Sequence, residues 1–362
     1  MSTRKMDICI LNYNGSNDTL KCLESIFLYE QNLDYRILIY DNNSREDQKQ
    51  ILLNGLEKGP FNYRAIYVGD QKPYEVDHSL SAEVTVFFGD TNLGFARGNN
   101  WLLEYGLRGN VDYFILLNND TELIEQSITK LLNAVETCKS QCDYASTDIH
   151  YYAEPSRSWN AGGSIFFGTR HYYVNRDVEL FLARKDTFPK VDYITGCFLL
   201  LPRETILKMG LLSETFFFGE EDYEFALRAK SKGMTGRVLM NTHILHKVGA
   251  SVGRGNKEAD LSRSFLHRLN RFVDMKHYYS KTRWHFWRYA SCIYFSRELF
   301  RVYGLSFAEV RAYLQNLMLA SNILEGVGKG IFILLSGKPK EIYITPFSAD
   351  FIWQLQQSDE AQ

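Results

Sequence analysis

Phe114-Ile115-Leu116-Leu117-Asn118-Asn119-Asp120 is the stretch on which the fold turns: four apolar side chains in a row, then two amides and an acid. An apolar run of strand length with no alternation reads as a strand buried on both faces, as in parallel sheets covered by helices. Two earlier stretches repeat the design. Residues 6–11 run into Asn12-Tyr13-Asn14, and residues 35–40 stop in Asp41-Asn42-Asn43-Ser44. Helical periodicity separates them, with Leu20, Leu23, Ile26 and Phe27 on one face and Asn17 or Asp18 as the cap. Further strands are expected at 63–68 and 84–88, flanking a polar insertion with Lys72-Pro73 and Asp77-His78 that reads as a loop; the wider insertion over about 60–82 has no functional reading. A helix is expected at 95–107 and another running to about Cys138. This is the alternation of an α/β sheet. Ligands of open parallel sheets bind beyond the carboxyl ends of the strands, so the three polar clusters mark one candidate site.

From about Tyr144 the pattern turns to Gly- and aromatic-rich strand-like pieces over 159–173, an apolar strand at 193–201 and a helix at 220–232. A strand follows at 237–245, interrupted at 241–243 and ending beside His246. Beyond it the chain reads as helical to about Leu335.

With 362 residues and 45% hydrophobic content the chain can bury a large core. Lys plus Arg number 41 against 43 Asp plus Glu, so no overall basic field exists to hold nucleic acid by its phosphates. An anionic ligand needs a local solution, either placed cations or a divalent metal. Cys9, Cys22, Cys138, Cys142, Cys197 and Cys292 form no CxxC pair and no zinc-finger array, and they read as free thiols in a reducing cytoplasm. The N-terminal residues 1–14 carry no sustained apolar segment, so export is not expected. Residues 286–300 are broken by Arg288 and Arg297, so no membrane span is expected either.

Three features carry chemistry. Asp120 can hold a hard cation against a diphosphate, although capping a helix is the commoner use of such an acid. Glu220-Glu221-Asp222 follows Phe216-Phe217-Phe218-Gly219 at the start of a helix. There mutual repulsion and apolar neighbours raise proton affinity while the helix dipole lowers it, the tuning a general base requires. His246 is a possible metal partner of Asp120, with His243 ranked below it; a lone histidine is more often structural.

Taken together, Asn12-Tyr13-Asn14, Asp41-Asn42-Asn43-Ser44, Asn92-Leu93-Gly94-Phe95-Ala96-Arg97-Gly98-Asn99-Asn100, Leu117-Asn118-Asn119-Asp120 and Glu221-Asp222-Tyr223-Glu224 resemble, in this order, family 2 glycosyltransferases. The likeness is closest to the bacterial rhamnosyltransferase-like branch and runs from about Met6 to Leu335. Gly162-Gly163, Thr195-Gly196-Cys197 read as part of a strand, and His246 followed by Gly249-Ala250-Ser251 look like the same branch.

The resemblance implies a GT-A fold, a Rossmann-like and mostly parallel α/β sheet flanked by helices. A catalytic domain over 1–255 would divide into a nucleotide-binding half, 1–140, and an acceptor-binding half, 141–255, with a helical extension over 256–362. It implies an inverting, metal-dependent transfer of a sugar from a nucleoside-diphosphate donor, with dTDP-L-rhamnose as the leading donor. The acceptor would be a saccharide or lipid-linked saccharide in bacterial surface polysaccharide synthesis. By the same resemblance Asp222 is the catalytic base, and Asp120 and His246 are ligands of Mg²⁺ or Mn²⁺. Asp41 recognises a pyrimidine base on which Tyr13 stacks. Asn12, Asn92, Arg97 and Asn119 are further nucleotide-site residues, and Gly196 and Glu221 lie near acceptor or donor sugar. The chain departs from the family pattern at Asn118 and Asn119, which leave Asp120 the only acid of the DxD-type motif. A metal held by one carboxylate and one imidazole would depend on diphosphate oxygens and water.

Arg283, Trp284, Trp287, Arg288 and Arg297 interleave cations and aromatics. They read either as a helix lying peripherally on the inner face of the cytoplasmic membrane or, with slight preference, as packing onto the catalytic domain or a homodimer interface. Two rivals stand against the transferase reading. A dinucleotide-dependent oxidoreductase or nucleotidyltransferase is disfavoured because no GxGxxG follows the first strand. A non-catalytic nucleotide-sugar-binding scaffold is disfavoured by the joint presence of Asp120, Asp222 and His246.

Overall fold

The structure, a computed structural model, describes residues 4–78, 82–138, 141–248 and 257–360, with side chains in the last segment described for 261–358. Gly249-Ala250-Ser251 and the expected boundary at 255/256 lie outside the described residues. The chain divides into two compact units, Met1–Leu212 with Phe225–Ser251, and Ser213–Glu224 with Val252–Gln362.

The first unit opens with β1 (Lys5–Asn12), α1 (Ser16–Tyr29), β2 (Asp34–Asp41), α2 (Glu46–Lys58), β3 (Tyr63–Gly69), β4 (Val84–Gly89), α3 (Phe95–Leu107) and β5 (Tyr113–Asn118). It continues with β6 (Thr121–Leu123), α4 (Ser127–Cys138), β7 (Tyr144–Tyr151), β8 (Glu154–Asn160), a separate hairpin β9 (Gly163–Phe166) and β10 (Thr169–Tyr172), α5 (Asn175–Ala183), β11 (Lys190–Val191), β12 (Phe198–Pro202) and α6 (Arg203–Met209). Helix α7 (Glu221–Ser231) and strand β13 (Gly236–His246) follow. The main sheet runs β11-β13-β7-β12-β5-β1-β2-β4-β3, with β6 on β13 and β8 on β7.

The half formed by β5, β1, β2, β4 and β3 is parallel throughout. Its strands are apolar without alternation because both faces are covered: Ile8 and Ile10 join Leu23 and Ile26 on one side, while Cys9 joins Leu102 and Phe114 on the other. Each such buried aliphatic side chain contributes about 1.5–3 kcal/mol. The register of β1 on β2 places Asp7 opposite Arg36. That pair is bidentate, Nε to Oδ1 at 2.6 Å and Nη2 to Oδ2 at 2.9 Å, a geometry that a one-residue slip would lose.

Some expectations shift. Helix α1 is capped by Gly15 without a side-chain bond, so Asn17 and Asp18 lie inside its first turn. The strand expected at 193–201 begins its ladder only at Phe198, so Thr195, Gly196 and Cys197 precede the strand instead of forming part of it. The interruption at 241–243 is real: β13 changes register against β7 between Leu239 and His243.

The second unit comprises α8 (Lys257–Tyr278), α9 (Lys281–Arg301), α10 (Phe307–Ile323), α11 (Lys329–Leu335), α12 (Glu341–Ile344) and α13 (Ala349–Glu360), joined by the segment Ser213–Glu224. Ser306 caps α10 in a reciprocal box with Glu309. Phe265 packs edge-on against Tyr313, their ring centres 5.2 Å apart. Trp284, Trp287 and Arg288 are buried within this unit, so packing claims three of the five interleaved side chains, while Arg283 and Arg297 are exposed. Among the described residues no helix is long and apolar enough to cross a membrane, and all six cysteines are free.

Candidate active site

The parallel register builds the first half of the site. Asn12 pairs with Asp41 at the ends of β1 and β2, and Leu11 pairs with Asn118 at the end of β5. The three polar clusters are therefore neighbours, and their side chains bind one another. Asn12 donates from Nδ2 to Asp41 Oδ2 at 2.7 Å, while Ser44 N donates to Asp41 Oδ1 at 2.8 Å. Asn12 Oδ1 accepts from Thr19 Oγ1 at 2.9 Å and from Asn119 Nδ2 at 3.3 Å. Asn119 also donates to Gly15 O at 3.2 Å and to Thr19 Oγ1 at 3.0 Å. A Cβ at Gly15 would lie 2.5 Å from Asn119 Nδ2, so a larger residue there would push the Asn119 amide out of this network.

Asn12 and Asp41 are both fully buried, and Tyr13 between these loops is half exposed. Asn14 adopts a left-handed backbone, φ 54°, and accepts from Arg45 N at 2.9 Å, which locks the two loops together. Asn42 extends the network by donating to Gly94 O at 3.1 Å and accepting from Leu93 N at 2.6 Å. Asn92 accepts from Gly94 N at 2.9 Å, ordering the turn that leads into α3, on whose first turn Arg97 is exposed.

Asp120 and His246 meet through a different device. The short strand β6 runs antiparallel to β13 with Thr121 opposite His246, and Lys247 N donates to Asp120 O at 3.0 Å. The side chains then face each other, His246 Nε2 lying 3.1 Å from Asp120 Oδ1, both almost fully buried. The Trp159 ring meets His246 edge-on at 4.6 Å. His246 Nδ1 is buried without a hydrogen-bond partner. A carboxylate oxygen and an imidazole nitrogen this close are a chemically suitable pair for a divalent cation. Among the described residues no group of three or more His, Cys, Asp or Glu side chains could hold one. The orphaned Nδ1 lacks the partner that usually orients a ligating histidine, so the pair suits a weakly held ion completed by its substrate.

Lys247, which the sequence did not single out, lies 2.8 Å from Asp18 Oδ1 and 2.7 Å from Glu122 Oε1. Burial works to lower its proton affinity, but the hydrogen bonds to Asp18 and Glu122 outweigh it, and the ammonium is held above its ordinary value. His243 is engaged elsewhere, its ring stacked on His150 at 4.0 Å. His150 directs Nε2 at Asp148 Oδ2, 2.8 Å, and Nδ1 at Pro155 O, 2.6 Å. Gly196 is buried just ahead of β12.

Asp222 belongs to the second unit, half buried in the first turn of α7, with Glu221 buried beside it. The turn before it is anchored. Gly219 and Glu220 both have left-handed backbones, φ 84° and 74°. For a glutamate that conformation costs about 1–2 kcal/mol. Glu220 Oε2 meets Arg271 Nε at 2.5 Å and its Oε1 meets Arg271 Nη2 at 3.1 Å, with His267 Nδ1 at 3.4 Å. Asn270 donates to Phe218 O at 3.0 Å, and the Arg271 guanidinium stacks 3.4 Å above the Tyr223 ring. Glu224 accepts from Tyr278 Oη at 2.7 Å. The Glu220 anchor has no sequence signal, because Arg271 lies 51 positions away.

Comparison with known proteins adds the family. The sequence model of "Glycosyl transferase family 2" matches residues 7–208, and that of "Glycosyl transferase family group 2" matches residues 113–333. No curated protein matches the chain. Among solved structures, the mannosyltransferase PcManGT from Pyrobaculum calidifontis in complex with GDP-Man and Mn²⁺ superposes with TM-score 0.51 at 14% identity, over 81% of this chain and 72% of that one. S. aureus TarS 1-349 superposes with TM-score 0.50 at 10% identity, over 99% of this chain and 90% of that one. A structure of GalNAc-T7 with UDP, GalNAc and Mn²⁺ gives TM-score 0.48 at 14% identity over 68% of this chain, which spans only 44% of its length. At these identities the PcManGT and TarS likenesses are of fold, a mixed α/β sheet flanked by helices with a helical C-terminal region, the GT-A architecture. Matched over residues 7–208 of 362 by the family's sequence model, the chain belongs to glycosyl transferase family 2.

Proposed function

We propose that the chain transfers a sugar from a nucleoside-diphosphate donor to a saccharide or lipid-linked saccharide acceptor by a single inverting displacement, with dTDP-L-rhamnose the donor suggested by motif resemblance. The observation that carries this reading is the Asp120–His246 pair, Nε2 to Oδ1 3.1 Å, set beside the interlocked strand ends of the parallel sheet. Asp120 and His246 would hold Mg²⁺ or Mn²⁺, which when bound supplies positive charge opposite the departing diphosphate. The PcManGT structure, which holds GDP-Man and Mn²⁺, is consistent with such a donor and ion on this fold.

Asp41 is oriented by Asn12 and Ser44, one hydrogen bond to each oxygen. Each oxygen retains a second lone pair with which to accept from a pyrimidine, and Tyr13 offers an exposed ring on which the base can stack. Asn12 and Asn119 position these groups, their amides being engaged with Asp41, Thr19 and Gly15. Asn92 and Arg97, beside the Gly94 turn, are the remaining donor-site residues, and Gly196 and Glu221 are assigned to the sugars. Asp222 takes the proton from the acceptor hydroxyl as its oxygen bonds to the anomeric carbon and the nucleoside diphosphate leaves.

A thermal-shift panel of nucleotide sugars with Mg²⁺ or Mn²⁺ identifies the donor, because preferential binding to the native state raises stability. Transfer or donor hydrolysis by the purified protein then tests catalysis, with Asp222→Asn as control. Donor binding without turnover in either protein would favour a non-catalytic scaffold; no donor binding at all removes the proposal.

A further inference from the structure

The helical unit contains a cavity of about 510 Å³ lined by Lys276, Lys281, Trp284, His285 and Asn322. No acid is among these residues. Two of them, His285 and Asn322, are hydrogen-bonded to Arg288, which is fully buried. Arg288 also donates to Met318 O at 3.3 Å and Ser321 Oγ at 2.8 Å, and its guanidinium stacks 3.4 Å from the centre of the Trp284 ring. Its Nε has no hydrogen-bond partner, and every acceptor it reaches is neutral. Buried arginines are ordinarily paired with a carboxylate; among the described residues this one is not.

The guanidinium also fixes what its neighbours can offer. Arginine only donates, so His285 Nδ1, at 2.8 Å, must accept, leaving the ring hydrogen on Nε2. Asn322 Oδ1 accepts at 2.9 Å, leaving the amide NH₂ as the remaining function. The Trp284 indole is engaged with Phe272 O at 2.7 Å. Lys281 is exposed, with no acidic partner among the described residues, and Lys276 pairs with Glu325, whose side chain is largely in solvent. The side-chain polar groups left around the cavity are therefore N–H donors, one of them the Lys281 ammonium.

We propose that this cavity binds a phosphoryl group on an organic carrier, its oxygens accepting from Lys281, His285 and Asn322 and its charge supplying the counter-ion that Arg288 lacks. The volume exceeds that of a bare phosphate and falls in the range of small-molecule sites, about 300–1,000 Å³. The carrier is either a soluble phosphorylated metabolite or a lipid headgroup, and the test separates them.

The full-length protein is titrated calorimetrically with glycerol 3-phosphate at low salt and without divalent cation, so that metal-dependent donor binding does not contribute. In parallel it is sedimented with vesicles of phosphatidylglycerol and with vesicles of phosphatidylcholine. Binding in solution assigns a soluble carrier; sedimentation with the anionic vesicles alone assigns a headgroup. Asn322→Asp places a carboxylate on Arg288 in nearly the same volume. It should leave the melting temperature unchanged or raised while weakening binding at least about tenfold, and Lys281→Glu, at an exposed position, should do the same to binding. Lys208→Glu, an equal change of charge on the first unit, should leave binding intact. Absence of binding in both arms overturns the proposal, as does equal binding by wild type, Asn322→Asp and Lys281→Glu, or equal loss in Lys208→Glu.

Discussion

Asp120 in the sheet unit and Glu220 in the helical unit are both nearly inaccessible acids, at 6% and 1% exposure, and they differ in what faces them. Asp120 faces an imidazole whose second nitrogen has no partner. Glu220 faces the fork of Arg271, with His267 added. A guanidinium stays charged and holds a carboxylate in a fixed bidentate geometry, whereas an imidazole can exchange its proton for a metal ion. Buried acids are thus met in two ways in this chain, by a cation that anchors a strained turn in one unit and by a neutralisable imidazole in the other, where the proposed metal would sit.

If the turn fixed by Glu220 presents the base, Asp222→Asn lowers turnover by about 10²–10⁴-fold while donor affinity stays near wild type; steady-state kinetics beside donor titration checks this. Equal loss of both parameters would show that Asp222 binds donor instead. Glu220→Gln breaks the bidentate ion pair with Arg271 and should cost about 3 kcal/mol of stability, measured by denaturant unfolding, since breaking a buried ion pair by removing one partner is strongly destabilising. A change near zero would mean that solvent or His267 compensates.

Asp120→Asn should do the reverse, preserving stability while weakening Mn²⁺-dependent donor binding by at least about tenfold, the lower end of what even outer partners of a metal contribute. Calorimetry with and without the ion reads it, and a purely structural Asp120 would instead show a fall in melting temperature with no metal dependence.

The smallest effect concerns the stacked histidines. For His150, burial works to lower the pKa, but the hydrogen bond to Asp148 outweighs it and raises it above the ordinary 6.5. Its stabilising contribution is present below 6.5 and is lost as pH rises through the higher folded value. For His243, burial and then the charge of His150 hold the pKa below 6.5, so its contribution is present above 6.5 and is lost as pH falls through the folded value. Melting temperatures taken between about pH 5 and 8 should therefore lose their alkaline decline in His150→Gln and their acid decline in His243→Gln. Unchanged profiles would mean the two rings titrate as they do in the unfolded chain.

Much of the parallel sheet was legible because its strands are doubly buried: the runs ending at Leu11, Tyr40 and Leu117 are continuous apolar stretches stopped by short polar side chains. Helix α3 was legible from its periodicity, to the residue. The start of α1 differs from the expectation because Asn17 and Asp18 favour caps in general, whereas Gly15 holds the cap and its carbonyl accepts from Asn119. Strand β6 has no sequence signal because three residues give no periodicity, although pairing with β13 brings Asp120 against His246. For Trp284, Trp287 and Arg288 the sequence leaves a membrane-facing stripe and packing open, with packing preferred, because cations on a helix are usually solvated; neutral acceptors and a stacked indole hold Arg288 inside.

From the sequence come the alternation of strands and helices in the parallel half, the polar stops where a ligand could sit and the residue types able to carry the chemistry, because hydrophobic periodicity and short polar side chains act locally along the chain. Only the tertiary structure decided that Asn12 holds Asp41, that His246 and not His243 faces Asp120, and that Arg271 clamps Glu220. Those pairings depend on strand register and on side chains brought together from positions tens to more than a hundred residues apart, which no local pattern encodes.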